Sequence, residues 1–391
     1  MKNKFNSWPY YTNLEARKIS NILLSNKVNY WTGEEGIKFE EEFAKFSDSK
    51  YSIAVSNGTL ALELALIGLD IKKGDEVIVT PRSYIASVSC VATCGAIPIF
   101  ADVDLETGNI SPNSVEKLIS KKTKAIICVH LGGLPCDIDN LKKICRKNNI
   151  KLIEDCSQAH GAKYKNKSVG SYGDIGTWSF CQDKIMSTGG EGGMVTTNSK
   201  KLWNKMWAYK DHGKNFNTVF AKKHPPGYRW LHESFGSNFR MTEIQASIGR
   251  IQLRKMKSWN RLRTNNAKQI VKAFSKFSNA SYSSPVEKDS VHAWYKCNIY
   301  LKQNRLNKEW NRDKIANEII KLGVPCFSGS CSEIYNEKAF DNTGMRPKKK
   351  LSNAYLLGKN TLMFLVHPSL SRLSLKKTIK AIELVMTKAS K

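Results

Sequence analysis

Three places in this chain carry residues that could do chemistry. The first is Lys184. A short strand-like run, Thr177-Trp178-Ser179-Phe180, delivers it into the loop C-Q-D-K-I-M-S-T-G-G-E-G-G, residues 181–193. Glycines at 189, 190, 192 and 193 admit positive φ without steric cost and let backbone come close to a ligand. A lysine held out of water loses its charge readily, because desolvation disfavours the ammonium form, and the neutral amine is suited to Schiff-base chemistry. Its ordinary alternative is a solvated surface charge, which most lysines are. The second is Asp155, ending the strand-like K-L-I-E-D of residues 151–155. Open α/β sheets bind ligands at the C-terminal ends of their strands, although a strand-end aspartate also serves as a helix cap. The third is Asn57-Gly58-Thr59, between the apolar run Tyr51–Ser56 and the helical Leu60–Leu69. Strand, glycine turn and helix N-terminus make an anion site, since backbone N–H groups and the helix dipole converge there. A plain capped helix is the alternative.

A sheet must hold these residues. Further strands are expected at Glu76–Thr80, Ile97–Ala101, Ala125–Leu131, Asp174–Phe180 and Gly193–Thr197. Helices are expected between them, at Tyr84 to about Cys94, Asn113–Ile119 and Ile138–Asn148, the last with Asp137 as N-cap. Seven short strands with intervening helices predict a large α/β sandwich. Before it lies a lead-in. Leu14–Leu24 has helical spacing, Tyr30–Gly33 is a turn, and Glu34–Phe46 carries Phe39, Phe43 and Phe46 on one side. After it come a helix at Lys201–Tyr209 and an aromatic, basic excursion from Phe216 to Trp230 with Pro225-Pro226-Gly227. A helix then runs from Thr242 to about Met256. From about Trp259 the pattern changes: helices at Arg261–Phe277, Trp310–Leu322 and Leu375–Met386, and strand-like runs at Trp294–Leu301 and Phe364–Pro368. The expected domains are 1–258, lead-in and large domain, and 259–391, a smaller C-terminal α/β domain. His292 and His367, at the edges of the smaller one, read as structural.

The 391 residues suffice for two domains with sizeable cores. A formal net charge of +28 is compatible with nucleic acid, an acidic membrane surface or an anionic small substrate. The lysines are spread out, with short clusters only at Lys121-Lys122, Lys222-Lys223 and Lys348-Lys349-Lys350. No aromatic-basic recognition module accompanies them, so a general lysine bias is favoured over nucleic-acid binding. The 10 cysteines include no C-x-x-C pair and no zinc spacing; many lie in apolar runs, the pattern of reduced, buried thiols in a cytosolic enzyme. No apolar stretch is long enough to span a membrane and no signal core opens the chain. The expectation is a soluble, cytoplasmic protein without a metal. G-x-G-x-x-G, G-x-x-x-x-G-K-[ST] and G-x-S-x-G are absent from their expected contexts, which disfavours a dinucleotide fold, a P-loop and a serine hydrolase.

S-F-x-x-x-K followed by G-E-G-G resembles the active-site segment of the DegT/StrS-type sugar aminotransferases, and separated motifs in the same order extend the likeness over roughly residues 8–386. The resemblance implies the pyridoxal-phosphate-dependent transferase fold (fold type I): a large seven-stranded α/β domain plus a smaller C-terminal one. Lys184 would carry pyridoxal 5'-phosphate. E-D-x-x-Q-x-x-G would place Asp155 at the ring nitrogen and Gln158 at the ring hydroxyl. Gly58, Thr59 and Ser179 would hold the phosphate. Tyr84, otherwise a packed helix-start tyrosine, would stack on the ring. G-x-N-x-R-M, Gly236 to Met241, implies a homodimer in which Asn238 reaches the neighbouring subunit's phosphate. His212, in Asp211-His212-Gly213, and Arg240 would lie near the substrate, although a loop histidine is usually only a surface residue.

The activity so implied moves an amino group from glutamate to a nucleotide-linked 4-keto-6-deoxysugar, for surface polysaccharide or glycan biosynthesis. The second reading is amination at C-3 by the same residues. A deoxygenating relative would replace the lysine with histidine, which Lys184 opposes. A non-catalytic, cofactor-binding regulatory protein is a fourth reading; no appended DNA-binding segment supports it.

Overall fold

Between residues 51 and 197, apolar β-branched runs alternate with helical ones and assemble into one seven-stranded sheet. The computed structural model describes residues 5–224 and 226–391. The first four residues of the lead-in, and Pro225 of the 216–230 excursion, lie outside the described residues.

The lead-in forms α1 (Asn13–Leu24), closed by a Thr12/Glu15 capping box, and α2 (Glu35–Phe46). The alternating region comprises β1 (Tyr51–Val55), α3 (Gly58–Gly68), β2 (Glu76–Val79), α4 (Ala86–Thr93), β3 (Ile97–Phe100), α5 (Pro112–Glu116), β4 (Thr123–Val129), α6 (Ile138–Asn148) and β5 (Lys151–Asp155). A ribbon of β6 (Lys163–Tyr164) and β7 (Lys167–Ser168), not expected from the sequence, precedes β8 (Ile175–Ser179) and β9 (Gly193–Thr197). The sheet order is β1-β9-β8-β5-β4-β2-β3. β9 runs antiparallel to both its neighbours; every other pairing is parallel. All strands except β9 therefore point one way, and their C-terminal ends share one edge.

Such strands are buried on both faces, so they read as continuous apolar runs. Ile53, Val55, Val77, Ile127, Ile153 and Val195 pack on one face, with residues of α3 and α4. On the other face Ala54, Trp178 and Met194 meet Phe39 and Phe43 of α2, while Ile78, Ile126 and Leu152 meet α6.

Helices α7 (Lys200–Lys210) and α8 (Phe216–Phe220) lead to α9 (Glu243–Ser275), a single helix of 33 residues. The sequence suggested two helices here, broken near Met256–Arg261. The structure corrects this: no proline or glycine follows Gly249 within the helix, and each half has a core to pack on. Met256 and Trp259 join the aromatic core of the large sheet; Ala267, Ile270 and Phe274 join the second core. That core lies against a three-stranded antiparallel sheet, β10 (Ser281–Tyr282), β11 (Cys297–Leu301) and β12 (Thr361–Phe364), with α10 (Arg312–Lys321) and α12 (Arg372–Ala389).

Helix α11 (Ser352–Asn360) was also not expected. Its own N-cap, Leu351, makes no side-chain cap bond. The cap comes from Asp102, whose carboxylate accepts the N–H groups of Asn353 and Ala354 at 3.0 and 2.9 Å. Arg82, in the turn after β2, makes a second link of this kind. Its buried guanidinium donates to Thr361 Oγ1 at 2.7 Å and to the Tyr300 hydroxyl at 3.3 Å.

Gly249 lets α9 lie close on α2, because a Cβ there would sit 2.6 Å from the ring of the fully buried Phe39. Helix propensity alone favours replacing a mid-helix glycine. Overpacking dominates here, so Gly249→Val should destabilise the protein by about 1–3 kcal/mol, read as a lower urea midpoint.

Candidate active site

The shared edge of the sheet opens into a cleft of about 1100 Å³, closed on its far side by residues of the smaller sheet and its loops, among them Tyr295, Lys296, Phe327 and Met363. Gly58, Thr59, Tyr84, Asp155, Gln158, Ser179 and Lys184 all line it. They arrive from the ends of β1, β2, β5 and β8 or the turns that follow, which is where open α/β sheets present ligand sites.

The floor is set by backbone contact. A Cβ on Gly58 would lie 2.6 Å from Ser179 Cβ, and one on Gly193 would lie 2.3 Å from the Asn57 carbonyl oxygen. Only glycine permits these approaches. Asn57 caps α3 by accepting the Leu60 N–H at 2.9 Å, so the remaining first-turn N–H groups of α3 stand beside the Ser179 hydroxyl.

Asp155 is 2% exposed. One carboxylate oxygen accepts the Ser87 hydroxyl at 2.8 Å and the other accepts the Ser157 N–H at 3.0 Å. Ser87 is itself 2.9 Å from the hydroxyl of Ser83, in the turn before α4. Gln158 uses Oε1 to accept the Gly132 N–H at 2.7 Å. Tyr84 is 68% exposed and stands over the opening.

Lys184 is half-buried. Its carbonyl accepts the Trp8 indole N–H at 2.7 Å, and its Nζ lies 5.3 Å from the centroid of the Tyr295 ring. The Tyr295 hydroxyl donates to Asp183. His160 lies between Trp178 and Phe180, fully buried, with no hydrogen-bond partner on either ring nitrogen among the described residues. Burial first, then the charges of Lys184 and Arg263, push its imidazole down to about 3.

The structure leaves three expected residues outside the cleft. The backbone of Asn238 pairs with that of Asp211. Arg240 donates to the buried Asp211 carboxylate at 2.6 Å. His212 is exposed, with φ of 56°.

Reading the sequence missed Ser87, Asp183, Tyr295 and Lys296. Ser83 precedes α4, so its contact with Ser87 is made by a turn and carries no helix-face signal. Asp183 directly precedes Lys184 in the chain. Tyr295 and Lys296 give no local signal, because they meet the cleft only through tertiary packing.

Behind Asp155, His130, Glu154 and Cys156 place ligand atoms within 4.8 Å of one another. The set is poorly made for a metal. His130 uses Nε2 on Glu154 at 3.1 Å and accepts the Cys136 N–H on Nδ1 at 3.0 Å. Glu154 also accepts the N–H groups of Gly170, Tyr172 and Gly173. These bonds anchor the end of β5.

Residues 10–383 match the DegT/DnrJ/EryC1/StrS aminotransferase family. The chain belongs to that family. It is thus a transaminase. It is 37% identical over 335 residues to GDP-perosamine synthase of Escherichia coli O157:H7, covering 84% of this chain and 86% of that one. Its fold superposes on an aminotransferase from Psychrobacter cryohalolentis with a TM-score of 0.97 at 57% identity, over 98% of this chain and 99% of the other. It also superposes on E. coli GDP-4-keto-6-deoxy-D-mannose-3-dehydratase with bound hydrated pyridoxal phosphate, with a TM-score of 0.86 at 25% identity, over 98% and 100% of the chains. The architecture of this aminotransferase is the pyridoxal-phosphate-dependent transferase fold.

A histidine whose imidazole is held neutral at about 3, against about 6.5 in the unfolded chain, gives stability that is complete above pH 6.5 and lost as the pH falls below it. From pH 7 to pH 5 His160 accounts for about 2 kcal/mol of that loss. Denaturant titrations at the two pH values should show a smaller loss for His160→Gln than for the wild type.

Proposed function

We propose that this aminotransferase uses pyridoxal 5'-phosphate to move an amino group from glutamate to a nucleotide-linked 4-keto-6-deoxysugar. One observation carries the reading: Lys184 and Asp155 line the same cleft, with the Gly58–Ser179 cradle on its floor. The donor set fits the cofactor. Ser179, Thr59 and the N-terminus of α3 would hold its phosphate. Asp155, with a donor on each oxygen, would face the ring nitrogen and keep it protonated. Gln158 would lie at the ring hydroxyl, and the exposed ring of Tyr84 would stack on the cofactor. When bound, pyridoxal phosphate supplies an electron-poor ring that stabilises negative charge at the carbon joined to the transferred nitrogen.

The protein's own part is proton movement and positioning. Lys184 Nζ removes the α-proton of glutamate as general base, the amino group stays behind on the cofactor, and 2-oxoglutarate leaves with a ketone oxygen taken from water. In the second half-reaction the sugar's ketone oxygen departs as water, the amino group takes its place, and Lys184 delivers a proton to C-4.

Asn238, His212 and Arg240 lie outside the cleft of their own chain. We infer a homodimer in which Asn238 completes the neighbour's phosphate site, with His212 and Arg240 near the substrate. Helices able to cross a membrane are absent among the described residues, and we propose a cytoplasmic enzyme serving surface polysaccharide or glycan biosynthesis. Amination at C-3 would use the same catalytic residues and remains the second reading.

The purified protein should be yellow, and borohydride should fix the cofactor to the peptide bearing Lys184. Glutamate should bleach the absorption band, and a nucleotide-linked 4-ketosugar should restore it. A Lys184→Ala variant should lose at least 10³-fold in turnover, on the order of an essential nucleophile's contribution. Turnover without Lys184 would sink the assignment, and restoration by a 3-ketosugar alone would move the reaction to C-3.

A further inference from the structure

A second lysine lies in the cleft. Lys296, just before β11, lines it together with Lys184. Both amines lie close to one aromatic ring: Lys296 Nζ is 4.8 Å from the Tyr295 centroid and Lys184 Nζ is 5.3 Å from it. Lys296 is half-buried, yet its ammonium makes no ion pair and no hydrogen bond among the described residues. Asp183, the nearest influence of opposite sign, is engaged by the Tyr295 hydroxyl. Burial first, and the charges of Arg263 and Lys184, hold the Lys296 ammonium below its ordinary value.

A partly desolvated cation without a counter-ion, opening on a binding cleft, is poised for an anionic group of a ligand. Which group follows from where the cation sits. In an α-amino acid the carboxylate is bonded to the carbon that loses its proton, so its binding partner must stand close to the base that takes the proton. The phosphates of a nucleotide-linked sugar are joined at C-1, across the sugar ring from C-4. A cation sharing one aromatic ring with the reacting amine is therefore placed for the carboxylate of the donor, not for the diphosphate.

We propose that Lys296 binds the α-carboxylate of the amino donor and so selects an α-amino acid for the first half-reaction. This rests on the transaminase chemistry assigned above to Lys184. Tyr295 is a positioning residue in this arrangement. Its ring lies 4.8 Å from one amine and 5.3 Å from the other, and its hydroxyl engages the Asp183 carboxylate.

The test uses the holoenzyme and 2-methylglutamate. That donor analogue has no α-proton, so its binding can be followed through the cofactor spectrum without turnover. Lys296→Met should weaken 2-methylglutamate binding by about 10- to 100-fold, the scale of one lost hydrogen bond to a charged group. The KM for glutamate should rise in parallel. Lys296→Arg should recover most of the loss. The KM for the ketosugar and retention of the cofactor should stay within about twofold, the scatter of an uninvolved site. Lys296→Gln, a milder change, serves if the methionine variant does not fold. Donor binding that is unchanged in both variants overturns the proposal. So does a weakening confined to the ketosugar, which would make Lys296 a diphosphate contact, or one confined to cofactor retention. A wild-type protein that glutamate fails to bleach would sink the transaminase reading itself, and this inference with it. A wild type that bleaches while the variants match it sinks only the role of Lys296.

Discussion

The cleft depends on two glycines that let their neighbours close in at the top of β1, β9 and β8. Gly58 lies against Ser179, and Gly193 against the carbonyl of Asn57, at separations no side chain could share. That contact brings the start of α3 to the end of β8, although the two strands are separated by β9 in the sheet. The rest follows from register. Asp155 pairs with Thr177 of β8 on one side and Val129 of β4 on the other. A carboxylate at the end of β5 is thus fixed relative to the strand that leads into Lys184. The two groups are thus spaced by hydrogen-bond ladders.

Behind the cleft two buried carboxylates are balanced in opposite ways. Glu154 is neutralised from several sides, and its carboxyl is held below the usual range despite burial, which opposes this; His130 and the N–H groups of residues 170 and 173 lower it. Glu40 shows the reverse balance. It accepts the Ala54 N–H at 2.8 Å and the Tyr30 hydroxyl at 3.0 Å, with Lys210 at 3.7 Å, yet burial dominates and raises its carboxyl. This second cluster fixes the lead-in against α7 and thereby the start of the segment bearing His212, Asn238 and Arg240. The lead-in also touches the loop bearing Lys184 directly, through Trp8 on the Lys184 carbonyl and Tyr11 on Ser187.

What could be read from the sequence follows the range of the forces involved. The strands of the large sheet are short apolar runs bounded by turn residues, a local signal. The glycine turn before α3, the aspartate ending β5 and the lysine after β8 were legible for the same reason. Helix α11 was not, because its cap is Asp102, distant in the chain and brought to it only by the fold. The continuity of α9 was not, because the change of partner core near Trp259 alters its polarity pattern without breaking its backbone. Lys296 and Tyr295 gave no sign, since residues just before the central strand of the small sheet acquire meaning only from what folds over them. The motif around Asn238 could be recognised, but its neighbours within one chain do not disclose what it touches.

Helix α9 limits how this enzyme can admit a bulky ligand. At about 1.5 Å per residue, its 33 residues form a rod about 50 Å long, seated in the aromatic core at one end and in the second core at the other. A rod rooted in both bodies, without proline or an inner glycine in its second half, offers no hinge. Swinging the small sheet away from the large one would have to snap it. Entry and exit therefore fall to the rim of the cleft, where Tyr84 stands exposed, and leave the rod intact.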